Sequence, residues 1–292
     1  MKADKSTSLL IVLSCYMIAI FVVVVIWDFL KDYNLIYRIL IADVITTVIV
    51  FAGSIITKNS SMYDPYWSVA PPIIALVLIT HYPEGNAERQ GMILSATLIW
   101  GVRLTYNWVR GWKGLHHEDW RYKDIAGKTK KLYWPSSFFG IHLLPTLWVF
   151  GGCLPLFYII PLEGKVTIWD YTGTFLCVIA AVIELISDEQ LRAFKKVAPK
   201  NKFIDTGWWS LSRHPNYFGE LLFWSGIFIM VFQIKDLSAL WTGIGLVALI
   251  ILFVFISIPM MEKRNLKNKP GYTDYIKRVS MLIPWPSSKS NR

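Results

Sequence analysis

Ser210-Leu211-Ser212-Arg213-His214-Pro215-Asn216-Tyr217-Phe218-Gly219-Glu220 crowds Arg213, His214, Asn216, Tyr217 and Glu220 at the mouth of a long apolar run. Pro215 suits the first turn of a helix, where a missing N–H costs nothing. Asn216 and Glu220 are four residues apart and so share one helix face. A carboxylate about one turn into hydrocarbon is expensive unless it meets a partner or a polar cavity, so Glu220 marks a candidate site inside a membrane helix.

The rest of the 292-residue chain fits that setting. Hydrophobic residues make up 54% of it and mean hydropathy is +0.42. Several runs approach the roughly 20 apolar residues that cross a bilayer. Eight spans are expected: Ser8 to Trp27, Leu35 to Thr57, Pro65 to Thr80, Gly91 to Val109, Phe138 to Ile160, Ile168 to Ile186, Tyr217 to Ile234 and Leu240 to Ile258. Pro71-Pro72 should break the third, and Pro145, Gly151-Gly152 and Pro155 the fifth. The fold expected is an all-α polytopic bundle. Residues 1–62 supply N-terminal helices, and residues 63–292 form one catalytic membrane unit.

The net charge of +10 would suit nucleic acid in a soluble protein. In a membrane protein it is better explained by basic cytoplasmic connections, and the cations do gather that way. They fall between spans four and five (Arg110 to Lys131), between six and seven (Arg192 to Arg213), and after span eight (Lys263 to Arg278). With eight spans, these segments and both termini lie on the cytoplasmic side. Cys15, Cys153 and Cys177 sit singly in apolar runs, which points to neither a disulfide framework nor a metal site. His116-His117-Glu118 reads as a loop surface rather than as a metal ligand set.

All three basic segments also carry aromatic rings and hydrogen-bonding groups. Arg103, Asn107 and Arg110 form one stripe at i, i+4, i+7. The other two segments read Asp188 to Lys195 and Glu262 to Tyr275. Arg and Lys converging on one pocket suit a polyanionic cofactor such as a dinucleotide phosphate. There is no glycine-rich dinucleotide fingerprint and no P-loop, so neither a Rossmann nor a P-loop site is expected. Tyr63-Asp64-Pro65-Tyr66-Trp67-Ser68 introduces the third span at a point where a lipid substrate could enter, or simply forms an interfacial aromatic belt.

At Thr206-Gly207-Trp208-Trp209 through Glu220 the chain resembles the membrane steroid 5-alpha-reductase family. The wider superfamily includes sterol C14 reductases and isoprenylcysteine carboxyl methyltransferases, and the likeness runs from Tyr63 onward. The resemblance implies NADPH binding by Asn107, Arg110, Asp188, Arg192, Lys195, Arg213, His214, Asn216, Tyr217, Glu220, Glu262, Arg264, Tyr272 and Tyr275. Lys195 stands where an Arg is usual. The steroid enzymes carry a catalytic Tyr three residues before an Arg of the fourth helix, and here that residue is Trp100. Tyr106, Asp64, Tyr63 and Tyr66 are the nearby replacements, and Tyr106 and Asp64 are the first choices for catalysis. The expected activity is NADPH-dependent reduction of a carbon–carbon double bond conjugated to a carbonyl in a sterol-like or other lipid. The partners implied are that lipid and the membrane, with no metal and no nucleic acid. The host membrane would be endoplasmic reticulum in a eukaryote or inner membrane in a bacterium. An S-adenosylmethionine-dependent lipid or prenyl-protein methyltransferase is the alternative, and a non-catalytic sterol-binding protein a third class.

Overall fold

A computed structural model describes residues 4–287, so the extreme termini that were expected to be cytoplasmic lie outside the described residues. Among the described residues all regular structure is helical, apart from one isolated parallel bridge between Ser212 and Ser280. Six helices are long and apolar enough to cross a membrane, and the chain reads as a multi-pass membrane protein. They account for six of the eight expected spans. The fourth and seventh correspond to two helices that fall outside that group. One of these carries Glu88, Arg89, Arg103 and Arg110; the other is fifteen residues long before it tightens into a 3-10 turn at Met230–Gln233.

The helices divide into two compact units. The first comprises residues up to Pro83 with Gly101–Cys153, and the second comprises Glu84–Trp100 with Leu154 onward. Residues 63–83 belong to the first unit, with the N-terminal helices.

In the first unit, α1 (Lys5–Ile26) starts at Asp4, whose carboxylate accepts from Thr7 N at 2.8 Å. Leu10, Leu13, Met17, Phe21 and Val24 stay exposed on α1, as expected of a helix that faces lipid. Asn34 caps α2 (Leu35–Thr57), which ends where Lys58 turns left-handed at φ 53°. Ser60–Met62 then folds inward as a 3-10 turn, and Ser60, Ser61, Met62 and Tyr63 are almost wholly buried.

The helix α3 (Tyr66–His81) runs unbroken through Pro71-Pro72, contrary to expectation. Pro72 cannot donate to Ser68 O, and that carbonyl instead lies against Gly101, where an added Cβ would sit 2.4 Å from it. After α4 (Ala87–Gly111) come α5 (Trp120–Thr129) and α6 (Tyr133–Ser137). A π-helical turn at Phe138–Leu143 joins α6 to α7 (Leu144–Cys153). That extra residue per turn accommodates Pro145 directly after it. The expected interruption at Pro155 is present, separating α7 from α8 (Leu156–Ile159).

The second unit centres on α9 (Ile168–Val197) and α10 (Pro215–Ile229), with Pro215 at the first helical position as expected. The two helices cross closely because their contact residues are small. A Cβ on Gly226 would meet Gly173 O and Cys177 Sγ, both at 2.7 Å. Thr167 and Asp170 form a capping box at the start of α9. Asp170 also pairs with Arg89 at 2.9 Å, and both side chains are almost fully buried. Arg89 further donates to Leu162 O, Lys165 O and Gln233 Oε1, so this buried charge is fully hydrogen-bonded. The chain continues through α11 (Ile244–Ile251), a second π-helical turn at Leu252–Ser257, α12 (Ile258–Asn268) and α13 (Tyr272–Arg278).

Candidate functional site

Two of the three basic segments converge within the second unit. The α9 helix continues past its apolar part and carries Asp188, Arg192 and Lys195 on its last turns. Lys195 lies within electrostatic reach of Asp188, Arg192 and Arg264 of α12. Lys269, just beyond α12, joins them. Its ammonium is held below the usual lysine range, first by burial and then by the neighbouring Lys195 and Arg264. Asp188 beside Lys195 and Glu189, 3.5 Å from Arg192, offset part of this charge, and the remaining excess of cations would favour a bound anion. The arrangement suits a phosphate-bearing cofactor. Lys269 was not singled out from the sequence.

Beside this cluster a second set fastens the C-terminal part of the unit. Arg213 Nε donates to Glu262 Oε1 at 2.6 Å, and its Nη1 donates to Ile276 O at 3.0 Å and Val279 O at 2.5 Å. His214 Nε2 is 3.2 Å from the same Glu262 oxygen, and its ring stacks on Tyr217 at 5.5 Å. Tyr275 donates to Trp209 O at 2.5 Å, while Trp209 Nε1 reaches back to Ser187 O on α9. Burial raises both the Tyr272 and Tyr275 hydroxyls above the ordinary tyrosine value, so both remain neutral. Arg213, Glu262 and Tyr275, assigned to cofactor by resemblance, thus make specific bonds within the protein that hold α13 in place. Asn216 stands half-buried on the first turn of α10.

Glu220 is 4% exposed, and both of its oxygens accept indole N–H bonds. Trp100 donates to Oε2 at 3.2 Å and Trp224 to Oε1 at 3.0 Å. Trp100 stacks on Phe223 at 4.5 Å and meets Trp224 edge-on. Trp100 is therefore a partner of Glu220, a role that spacing alone did not suggest.

The first basic segment belongs to the first unit. There Tyr106 is 56% exposed, with the Arg110 guanidinium 5.1 Å from its ring centre, and Asn107 is half-buried. Asp64 accepts from the Tyr122 hydroxyl at 2.5 Å.

A second tyrosine–carboxylate pair lies between α1, α2 and α3. Tyr66 donates to Asp43 Oδ1, and Asp43 is 8% exposed. Both residues line an apolar cavity of about 240 Å³, whose walls include Tyr16, Val24, Ala70 and Ile73. The lone acid of span two was visible in the sequence; that Tyr66 folds back onto it depends on the buried Ser60–Tyr63 turn. Among the described residues, no group of three or more His, Cys, Asp and Glu side chains could hold a metal ion.

No solved structure matches the chain. A fission yeast (Schizosaccharomyces pombe) protein named "Uncharacterized protein C594.04c" is 26% identical over 264 residues, covering 81% of this chain and 76% of that protein. Residues 50–279, which include the cation cluster, the α9–α10 crossing and Tyr66 but not Asp43, match the family described as "Protein of unknown function (DUF1295)". The chain belongs to that DUF1295 family.

Proposed function

We propose that this chain is an NADPH-dependent membrane oxidoreductase that reduces a carbon–carbon double bond conjugated to a carbonyl in a sterol-like or other lipid. The observation that carries the reading is the cluster of Arg192, Lys195, Arg264 and Lys269, four cations set against Asp188 and Glu189, an excess of positive charge that suits a polyanion. These four residues would hold the cofactor's phosphates, and Asn216 and Tyr272 are candidates for its neutral groups. The cation-rich ends of the helices would face the cytoplasm, where NADPH is available.

When bound, the nicotinamide supplies a hydride to the β-carbon of the enone. The apolar cavity beside α1 suits the lipid body, and Tyr66 with Asp43 forms its polar end. Tyr66 can donate a hydrogen bond to a lipid carbonyl oxygen, and the reduction as a whole takes up one hydride and one proton. We assign the acid role to Tyr66 in place of Tyr106 because Tyr66 is buried on a carboxylate, with Tyr122–Asp64 and Tyr133–Glu118 as further Tyr–carboxylate pairs in the same unit.

The test is thermal unfolding of the purified chain with NADPH against S-adenosylmethionine. Stabilisation by NADPH supports the reading, and stabilisation by S-adenosylmethionine alone replaces it with methyl transfer. Tyr66→Phe should then abolish enone reduction and leave the NADPH shift intact. Full turnover in that variant would remove Tyr66 as the acid.

A further inference from the structure

Residues 121–131 hold five cations (Arg121, Lys123, Lys128, Lys130 and Lys131) against one acid, Asp124. They lie on α5 and the turn after it. Arg121 is tied to Asp119 at 2.8 Å and Lys128 to Asp124 at 2.6 Å, and all four lysines are exposed. The α5 helix rests on α6, and Tyr122 on its underside is anchored to Asp64, so the lysine-bearing face is turned outward. At Lys130 the backbone takes a positive φ of 47°, a conformation side chains rarely adopt. The helix ends there and leaves Lys130 and Lys131 on a sharp turn. Immediately after them Leu132 is 66% exposed and Phe139 63% exposed, and the same stretch leads without a loop into a helix apolar enough to cross a membrane. Lys58 and Lys113 are exposed at the same end of the unit. That end is knit together by Asn59 donating to Leu115 O and by the Ser60–Tyr133 hydroxyl contact.

We propose that α5 and its following turn are a docking face for anionic phospholipid headgroups of the host bilayer. The lysines would meet headgroup phosphates and carboxylates, while Leu132 and Phe139 would enter the acyl boundary. A short basic helix flanking a membrane span, with apolar side chains beside its cations, has the composition that binds such surfaces. The exposed apolar pair also argues against nucleic acid as the occupant. The four lysines are spread along the helix and its turn, not gathered into a pocket, which favours many singly charged headgroups over one multiply phosphorylated one.

The test reconstitutes the full chain in phosphatidylcholine nanodiscs with and without phosphatidylserine and measures the enrichment of spin-labelled phosphatidylserine in the lipid shell. The expected result is several-fold enrichment for the parent, lost in Lys123→Gln/Lys128→Gln/Lys130→Gln/Lys131→Gln and screened by high salt. Lys196→Gln/Lys200→Gln, in the second unit, should enrich like the parent. Should the quadruple variant fail to fold, Lys130→Gln/Lys131→Gln should show the same loss in part. Undiminished enrichment in the folded lysine variants, or enrichment of a polyphosphoinositide but not phosphatidylserine, would overturn the proposal.

Discussion

Replacing Lys269 with Gln separates two effects that usually act together. In the unliganded chain the Lys269 ammonium is disfavoured by burial, Lys195 and Arg264. Removing its charge should therefore leave stability unchanged or raise it by a few tenths of a kcal/mol to about 1 kcal/mol, the scale of single partly exposed charge interactions. If the cluster holds a cofactor phosphate, the same change removes a charged hydrogen bond contributing about 1.5–3 kcal/mol, which weakens NADPH roughly ten- to a hundredfold. The pH dependence has a definite sign. Because the folded-state pKa lies below the ordinary lysine value of 10.5, the unfolded chain binds more protons between those two values. The parent should gain stability as pH rises through that window, and Lys269→Gln should not. Thermal unfolding across alkaline pH, with and without NADPH, reads all three quantities. A variant that binds NADPH as tightly as the parent, or that is clearly less stable without it, would refute the reasoning.

Two further substitutions test the scaffold around the cluster. Arg213→Met leaves Glu262 without its main partner and frees the Ile276 and Val279 carbonyls, a loss of about 3–5 kcal/mol for a broken buried pair. Amide exchange should then accelerate across α13, and unchanged protection there would contradict the fastening role given to Arg213. Gly226→Leu forces a side chain into a crossing where even a Cβ lies 2.7 Å from Gly173 O. It should cost at least about 1–3 kcal/mol, and an unfolding temperature equal to the parent's would show that α9 and α10 do not meet as described.

The parts of this molecule that were legible in advance rest on local rules. Apolar run length located most of the helices, Pro215 marked the start of α10, and the spacing of Arg and Lys announced the cation cluster. What was not legible depends on contacts between residues distant in the chain. Trp100 and Glu220 are 120 positions apart, and nothing in either segment indicates that an indole N–H meets that carboxylate. Tyr66 reaches Asp43 only because the chain after Lys58 folds inward. The unbroken α3 had the same kind of cause, since the carbonyl freed by Pro72 lies against Gly101 on another helix. Tyr106 was favoured as a near neighbour of the position that Trp100 occupies, but nearness in sequence does not report which side of α4 is covered.

The second π-helical turn, at Leu252–Ser257, sets the azimuth of everything that follows it. One surplus residue in that turn rotates α12 by about 100° relative to a plain α-helix. Glu262 points at Arg213, and Arg264 faces Lys195, only at the resulting angle. Excising a single residue from this stretch would hardly shorten the apolar segment, yet it would swing both side chains away from their partners. Length in this helix is thus a coded quantity: relatives that share the site should keep the count between Phe253 and Glu262 even where the intervening side chains drift.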